Sequence, residues 1–189
     1  MKSIMTTVVS VLCLLALPCL AVAGAPAVGE RFPDLALSAP ANAAHNAELG
    51  VSGKETFRIG QTAGQVLIIE IFSMYCPFCQ KEAPQVNRLY KAIQSRSDTA
   101  GKVKLIGIGA GNSPMEVDLF RETYSVLFPL FSDGDLSIHK LVGEVRTPYF
   151  FAMKRLPDGA MEVIFSKLGG IADVDQFLDG IARDAGIGK

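Results

Sequence analysis

The chain has no tryptophan and only two histidines, His45 and His139. Its formal net charge is −1 and no stretch carries a dense basic run, so nothing marks a nucleic-acid surface and no nucleic-acid partner is expected. His45 lies among small residues and turn formers, as a solvated loop side chain would. His139 has no acidic or sulfur neighbour in sequence that would make it a ligand, which makes it a helix-surface residue and leaves no metal site. Long hydrophobic runs are also missing. The longest, Val8 to Leu20, falls short of the roughly 18–20 residues that a membrane-spanning helix needs.

That short run is informative in its setting. Lys2 precedes it and Ala21-Val22-Ala23 follows it, an A-x-A pattern ahead of Gly24, so residues 1–23 read as a cleaved secretory signal peptide. An uncleaved anchor is the alternative, whereas Pro18 fits poorly with lipoprotein cleavage at Cys19. Cleavage removes Cys13 and Cys19 and leaves Cys76 and Cys79 alone. Outside the reducing cytosol such a pair can form a disulfide. A bridge closing so short a loop restrains the unfolded chain little, which favours redox use over stapling.

The surroundings of the pair say more. Val66 to Phe72 is a continuous apolar run rich in β-branched residues, the pattern of a strand covered on both faces, broken only by Glu70. A carboxylate there is costly unless paired, solvated or protonated. After the cysteines, Val86, Leu89, Tyr90 and Ile93 recur with helical spacing to about Ser95, with Pro84 expected to kink the first half. Cys76 therefore sits at a strand-to-helix junction, where unpaired N–H groups and the helix dipole favour a thiolate; Cys79 lies one turn on.

The chain has 189 residues, with 24–64 read as an N-terminal extension and edge segment and 65–189 as the main domain. Residues 28–34 suit a sheet edge, and 38–53 read as a loop. Lys102 to Gly109 forms a second buried strand. Ser113, Pro114 and Glu116 open a helix with a capping box, whose inner stripe is Val117, Phe120 and Tyr124. A short strand at 128–131 and a short helix holding Leu136, His139 and Leu141 come next. Thr147-Pro148 introduces a hairpin of 149–153 and 161–165 about the Pro157-Asp158-Gly159 turn, and a helix from Asp173 closes the chain. Parallel units followed by an antiparallel hairpin imply an α/β fold with a mixed sheet.

With these features together the chain resembles the thioredoxin superfamily, and within it the extracytoplasmic TlpA/ResA-like thiol–disulfide oxidoreductases, over about residues 27–185. Four features carry the resemblance: Cys76-Pro77-Phe78-Cys79 after an apolar strand; Glu70, six residues before the first cysteine; Cys79-Gln80-Lys81-Glu82-Ala83-Pro84, similar to the C-x-x-E-x-P of that branch; and Thr147-Pro148 at the position of the superfamily's cis-proline. Tyr75 departs from the tryptophan common before the first cysteine, and Pro-Phe replaces the Gly-Pro of thioredoxin.

The resemblance implies a three-layer sandwich, a mixed central sheet with helices on both faces. It implies a periplasmic or otherwise extracytoplasmic enzyme that exchanges its dithiol with client proteins and needs no cofactor or metal. Cys76 would attack and Cys79 resolve; Glu70 would accept the Cys79 proton, and Glu82 would tune the thiols. Thr147 and Pro148, with Tyr75, Pro77 and Phe78, would contact the client, and Pro148 would keep metal from the dithiol. The branch favours a reductase, possible in cytochrome c maturation and fed by a membrane thiol electron donor, whereas Pro77 is shared with DsbA-like oxidants. Two rivals fit less well. A peroxiredoxin-like peroxidase would have P-x-x-x-T-x-x-C, and Ile69 stands where its proline should be. A copper module would have C-x-x-x-C.

Overall fold

The computed structural model describes residues 24–187, so the signal-peptide reading of residues 1–23 lies outside the described residues. In chain order the elements are β1 (Ala36–Ser38), α1 (Ala43–Leu49), β2 (Thr56–Arg58), a 3-10 turn (Ile59–Gln61), β3 (Val66–Phe72), α2 (Pro77–Ser95), β4 (Val103–Ala110), α3 (Pro114–Tyr124), β5 (Leu130–Asp133), α4 (Ser137–Leu141), β6 (Tyr149–Arg155), β7 (Met161–Leu168) and α5 (Val174–Ala185).

Five strands form one sheet in the order β5-β4-β3-β6-β7. β3 pairs parallel with β4, and β4 with β5, while β6 runs antiparallel to both β3 and β7. The most apolar strand, β3, is central and buried along its whole length. Because side chains alternate across a strand, β3 feeds two core layers. Val66, Ile68 and Phe72 pack with Cys79, Val86, Leu89 and Ile93 of α2, Val117 and Phe120 of α3, and Leu178 and Ile181 of α5. Leu67, Ile69 and Ile71 face the other way, onto Ile138 and Val142 and onto Phe32, Leu35, Leu49, Phe57 and Ile59 from the first forty residues described. The fold is therefore a mixed sheet with helices on both faces. Each fully buried apolar side chain contributes about 1.5–3 kcal/mol, so α2 is held mainly by its inner stripe.

Local chemistry sets the helix starts. Ser113 caps α3 by accepting from Glu116 N–H at 3.3 Å, and the Glu116 carboxylate returns to Ser113 N–H at 2.7 Å. Asp173 caps α5 by accepting from Gln176 N–H at 2.9 Å.

Two local expectations need correction, the loop at 38–53 and the solvated His45. Residues 38–53 are not all loop: Asn42 accepts from the N–H groups of Ala44 and His45, and Gly50, at φ 67°, ends a two-turn helix between them. Such a short helix lacks the apolar periodicity that would betray it. Helix α2 extends to Ser95 as its periodicity predicts and carries Pro84 within it, the proline side chain facing solvent. His45 is not merely solvated, because its Nε2 lies 3.2 Å from Leu127 O, whereas His139 lies on α4 as expected, half-exposed, with its Nε2 2.8 Å from Val145 O. The 28–34 segment does run along a sheet edge, bonding to β7 through Gly29 N–H to Val163 O at 2.8 Å and Phe32 N–H to Met161 O at 2.8 Å.

Candidate active site

The C-terminal end of β3 delivers the chain into a short loop and then into α2. Cys76 is the N-cap of α2, with Pro77 in the first helical position. Proline suits that place because its missing N–H would have no intrahelical partner. The loop is pinned on two sides. Met74 N–H donates to Asn112 Oδ1 at 2.8 Å, and Gln80 Nε2 donates to Met74 O at 2.8 Å.

Both cysteines are free thiols, Cys76 partly exposed and Cys79 buried. The Cys76 S–H donates to the Thr147 carbonyl at 3.4 Å, which joins residues 71 positions apart. Burial alone would raise the Cys76 pKa. Hydrogen bonds to its sulfur from the Thr147 side chain and from the N–H groups of Cys79 and Phe78 outweigh that and hold it below the ordinary thiol value. Cys79 moves the opposite way. Burial pushes its pKa well up against a backbone hydrogen bond at Ser73, and the Cys76 hydrogen bond and the Glu70 charge add to the rise. Three residues apart, one thiol is prepared to ionise and the other to keep its proton.

Glu70 projects from β3 on the α2 side, in register with Gly107 and Phe150 of the flanking strands. It is 2 % exposed, and its Oε1 has no hydrogen-bond partner. Burial, then the charges of Glu82 and Cys76, push its pKa up to about 8. Glu82, one turn beyond Cys79, is half-buried. Its Oε1 accepts from Ile171 N–H at 2.7 Å, in the loop between β7 and α5. Burial raises its pKa as well, partly offset by that hydrogen bond and by Arg88 and Lys81.

The remaining predicted residues surround the thiols unequally. Pro148 is buried and the Thr147–Pro148 peptide bond is cis. Tyr75 and Phe78 are 66 % and 72 % exposed. The Tyr75 hydroxyl, however, donates to Glu116 on α3, so that side chain is drawn off toward the neighbouring helix. Pro77 is exposed on the first turn of α2. A cleft of about 280 Å³ opens beside the thiols, between the first turns of α2, the Thr147–Pro148 segment and the end of β7. Among the described residues, no three His, Cys, Asp or Glu side chains gather closely enough to hold a metal ion.

Two functional contributors escape sequence reasoning. Asn112 is completely buried, and its side chain reaches across 38 residues to hold the loop that carries Cys76. Gly170 lies against Glu82 so closely that a Cβ there would overlap the carboxylate. Asn112, beside Gly111 after a strand, reads as an ordinary turn residue. Gly169-Gly170 reads as a loop, with no signal of what it faces.

The geometry has counterparts in known proteins. The AhpC/TSA family model matches residues 28–160. Among curated relatives, the chain is 24 % identical over 157 residues to the thiol–disulfide oxidoreductase ResA of Geobacillus thermodenitrificans, covering 83 % of this chain and 79 % of ResA. It is 23 % identical over 156 residues to ResA of Halalkalibacterium halodurans, covering 82 % and 84 %. Among solved structures, StoA of Bacillus subtilis superposes with a TM-score of 0.54 at 25 % identity, over 82 % of this chain and 98 % of StoA. A thioredoxin-family thiol:disulfide interchange protein of Chlorobium tepidum gives 0.56 at 17 % identity over 85 % and 99 %, a likeness of fold. The chain belongs to the AhpC/TSA family, as a thioredoxin-like thiol–disulfide oxidoreductase.

Proposed function

We propose that the protein acts outside the cytoplasm as a reductase of client disulfides, with the Cys76-Pro77-Phe78-Cys79 pair as its redox centre. The observation that carries this reading is the opposite electrostatic treatment of two thiols within one helical turn. The Cys76 thiolate attacks a client disulfide, forming a Cys76–client bond and releasing one client thiolate, which takes up a proton. Once Cys76 is bonded to the client its negative charge no longer helps to hold the Glu70 proton, so Glu70 ionises more readily and takes the proton of Cys79, which attacks Cys76 Sγ. The mixed disulfide breaks, the second client thiol leaves, and the Cys76–Cys79 disulfide forms. The protein is then oxidised by two electrons, and an external dithiol, such as a membrane thiol donor, must return them.

The position of Thr147 supports a client-binding role. Its carbonyl already meets the attacking sulfur, so an extended client strand alongside would bring its own sulfur to the same point. Glu82 tunes the centre through its charge on Glu70. Extracytoplasmic placement rests on the signal-like residues 1–23. Clients of the apocytochrome type belong to the same reading.

The deciding measurement is the reduction potential of Cys76/Cys79 in a glutathione redox titration. A value below about −220 mV is expected of a reductase. One near −120 mV would overturn that direction and make the protein a DsbA-like oxidant, which Pro77 also suits. A Cys79→Ser variant is expected to trap the client on Cys76 as a mixed disulfide. The family match gives the peroxidase reading one foothold, yet the residue seven before Cys76 is Ile69, buried within β3. Peroxide consumption by the reduced protein tests that alternative.

A further inference from the structure

The cleft beside the thiols has apolar walls and a cationic rim. Phe78 and Leu168 line it, and both are large apolar side chains left open to solvent, at 72 % and 42 % exposure. Lys81 and Arg146 also line it, from opposite sides, and both are exposed. Among the described residues neither forms an ion pair, although eight such pairs stand elsewhere on the surface. The one acidic side chain lining the cleft is Glu82, whose Oε1 accepts from Ile171 N–H and whose charge feels Lys81 without an ion pair between them. Two cations therefore line an open apolar slot, neither of them held in an ion pair, against one half-buried carboxylate.

Their distance from the reacting sulfur sets what they can meet. Arg146 directly precedes Thr147, whose carbonyl lies 3.4 Å from Cys76 Sγ. Lys81 stands five residues along α2 from Cys76, about 7 Å along the axis at ~1.5 Å per residue. An extended client rises ~3.3 Å per residue, so its side chains about two positions from the reactive cysteine reach that zone. We propose that this site selects client segments carrying an acidic side chain about two residues from the reactive cysteine, read by Lys81 and Arg146, with an apolar neighbour against Phe78 and Leu168. The inference rests on the exchange function proposed above and names its substrate class. Opposite charges across such a rim act mainly on encounter and on choice among partners.

The test uses two synthetic peptides, each closed by one internal disulfide and identical except for Glu or Lys two residues from the reactive half-cystine. The dithiol form of the full-length protein is mixed with each, and the second-order rate of peptide reduction is followed in a single turnover. The Glu peptide is expected to react roughly tenfold faster at low salt, with the ratio shrinking as salt is added. In the Lys81→Glu/Arg146→Glu double variant the preference should invert. Rates within about twofold of each other at low salt in the unaltered protein, or a ratio that the charge reversal leaves unmoved, would overturn the proposal while leaving disulfide exchange intact. Reduction of neither peptide would sink the exchange function and this inference with it.

Discussion

The Oε1 of Glu82 accepts a hydrogen bond of 2.7 Å from the backbone N–H of Ile171, 89 residues later in the chain. This bond ties the active-site helix α2 to the loop entering α5, and a Cβ at Gly170 would overlap the carboxylate where it now lies. A carboxylate that would otherwise lie in water is thereby held half-buried near Glu70, whose pKa it helps to raise.

Substituting Gly170 by alanine should break that arrangement. The added methyl overlaps the Glu82 carboxylate, so either the loop or the side chain must move. The atoms it meets are the far end of a flexible side chain, so Glu82 swings aside at little cost and the denaturation midpoint should change little. Moving Glu82 away also removes one charge acting on Glu70, so the Glu70 pKa should fall, measured by carboxyl-carbon NMR titration. An unchanged Glu70 titration would separate the two carboxylates.

Glu70 should leave a signature in the pH dependence of stability. Its carboxyl keeps its proton to about pH 8 in the folded chain, against an ordinary value of 4.5. Below the ordinary value both states are protonated, and this group contributes no loss. Between the two values the unfolded chain ionises while the folded chain holds its proton, so stability falls as pH rises. The slope approaches ~1.4 kcal/mol per pH unit as an upper limit, and it vanishes above the folded pKa. Glu70→Gln removes the slope, so the variant should gain on the unaltered protein between about pH 5 and 8 in denaturant titrations. The same variant should slow the resolving step by roughly 10²-fold, because Cys79 loses its proton acceptor.

Asn112 should act through the loop that it holds. Asn112→Ala leaves Met74 N–H without its acceptor, at a cost of about 1–3 kcal/mol if the group stays buried. The turn carrying Cys76 is then free to shift from Thr147, so alkylation of Cys76 should require higher pH than in the unaltered protein. Loss of stability with an unchanged alkylation profile would reduce Asn112 to a structural role.

The parts of the site legible in sequence are those that depend on neighbours along the chain. Cys76 at a strand-to-helix junction, Pro77 at the first helical position and the Ser113–Glu116 cap each follow from a few adjacent residues. Helix α1 was not legible, because its seven residues form barely two turns and bury only Leu49. The inner stripe of α2 was legible, since Val86, Leu89 and Ile93 recur with helical spacing and pack on the sheet through the helix that carries Pro84.

By itself the sequence determined the alternation of strands and helices, the burial of β3 and the placing of two thiols one turn apart at a helix start. These follow from apolar periodicity, capping and the reach of a helical turn. The tertiary structure alone decided what the thiols meet. Thr147 at Cys76, Asn112 at Met74, and Ile171 with Gly170 at Glu82 are contacts between segments 38 to 89 residues apart. No local pattern encodes such pairs, because they arise from the register of a five-stranded sheet and the helices laid across it. The sequence names the reactive groups, and the packing of distant segments sets their protonation and their access to a client.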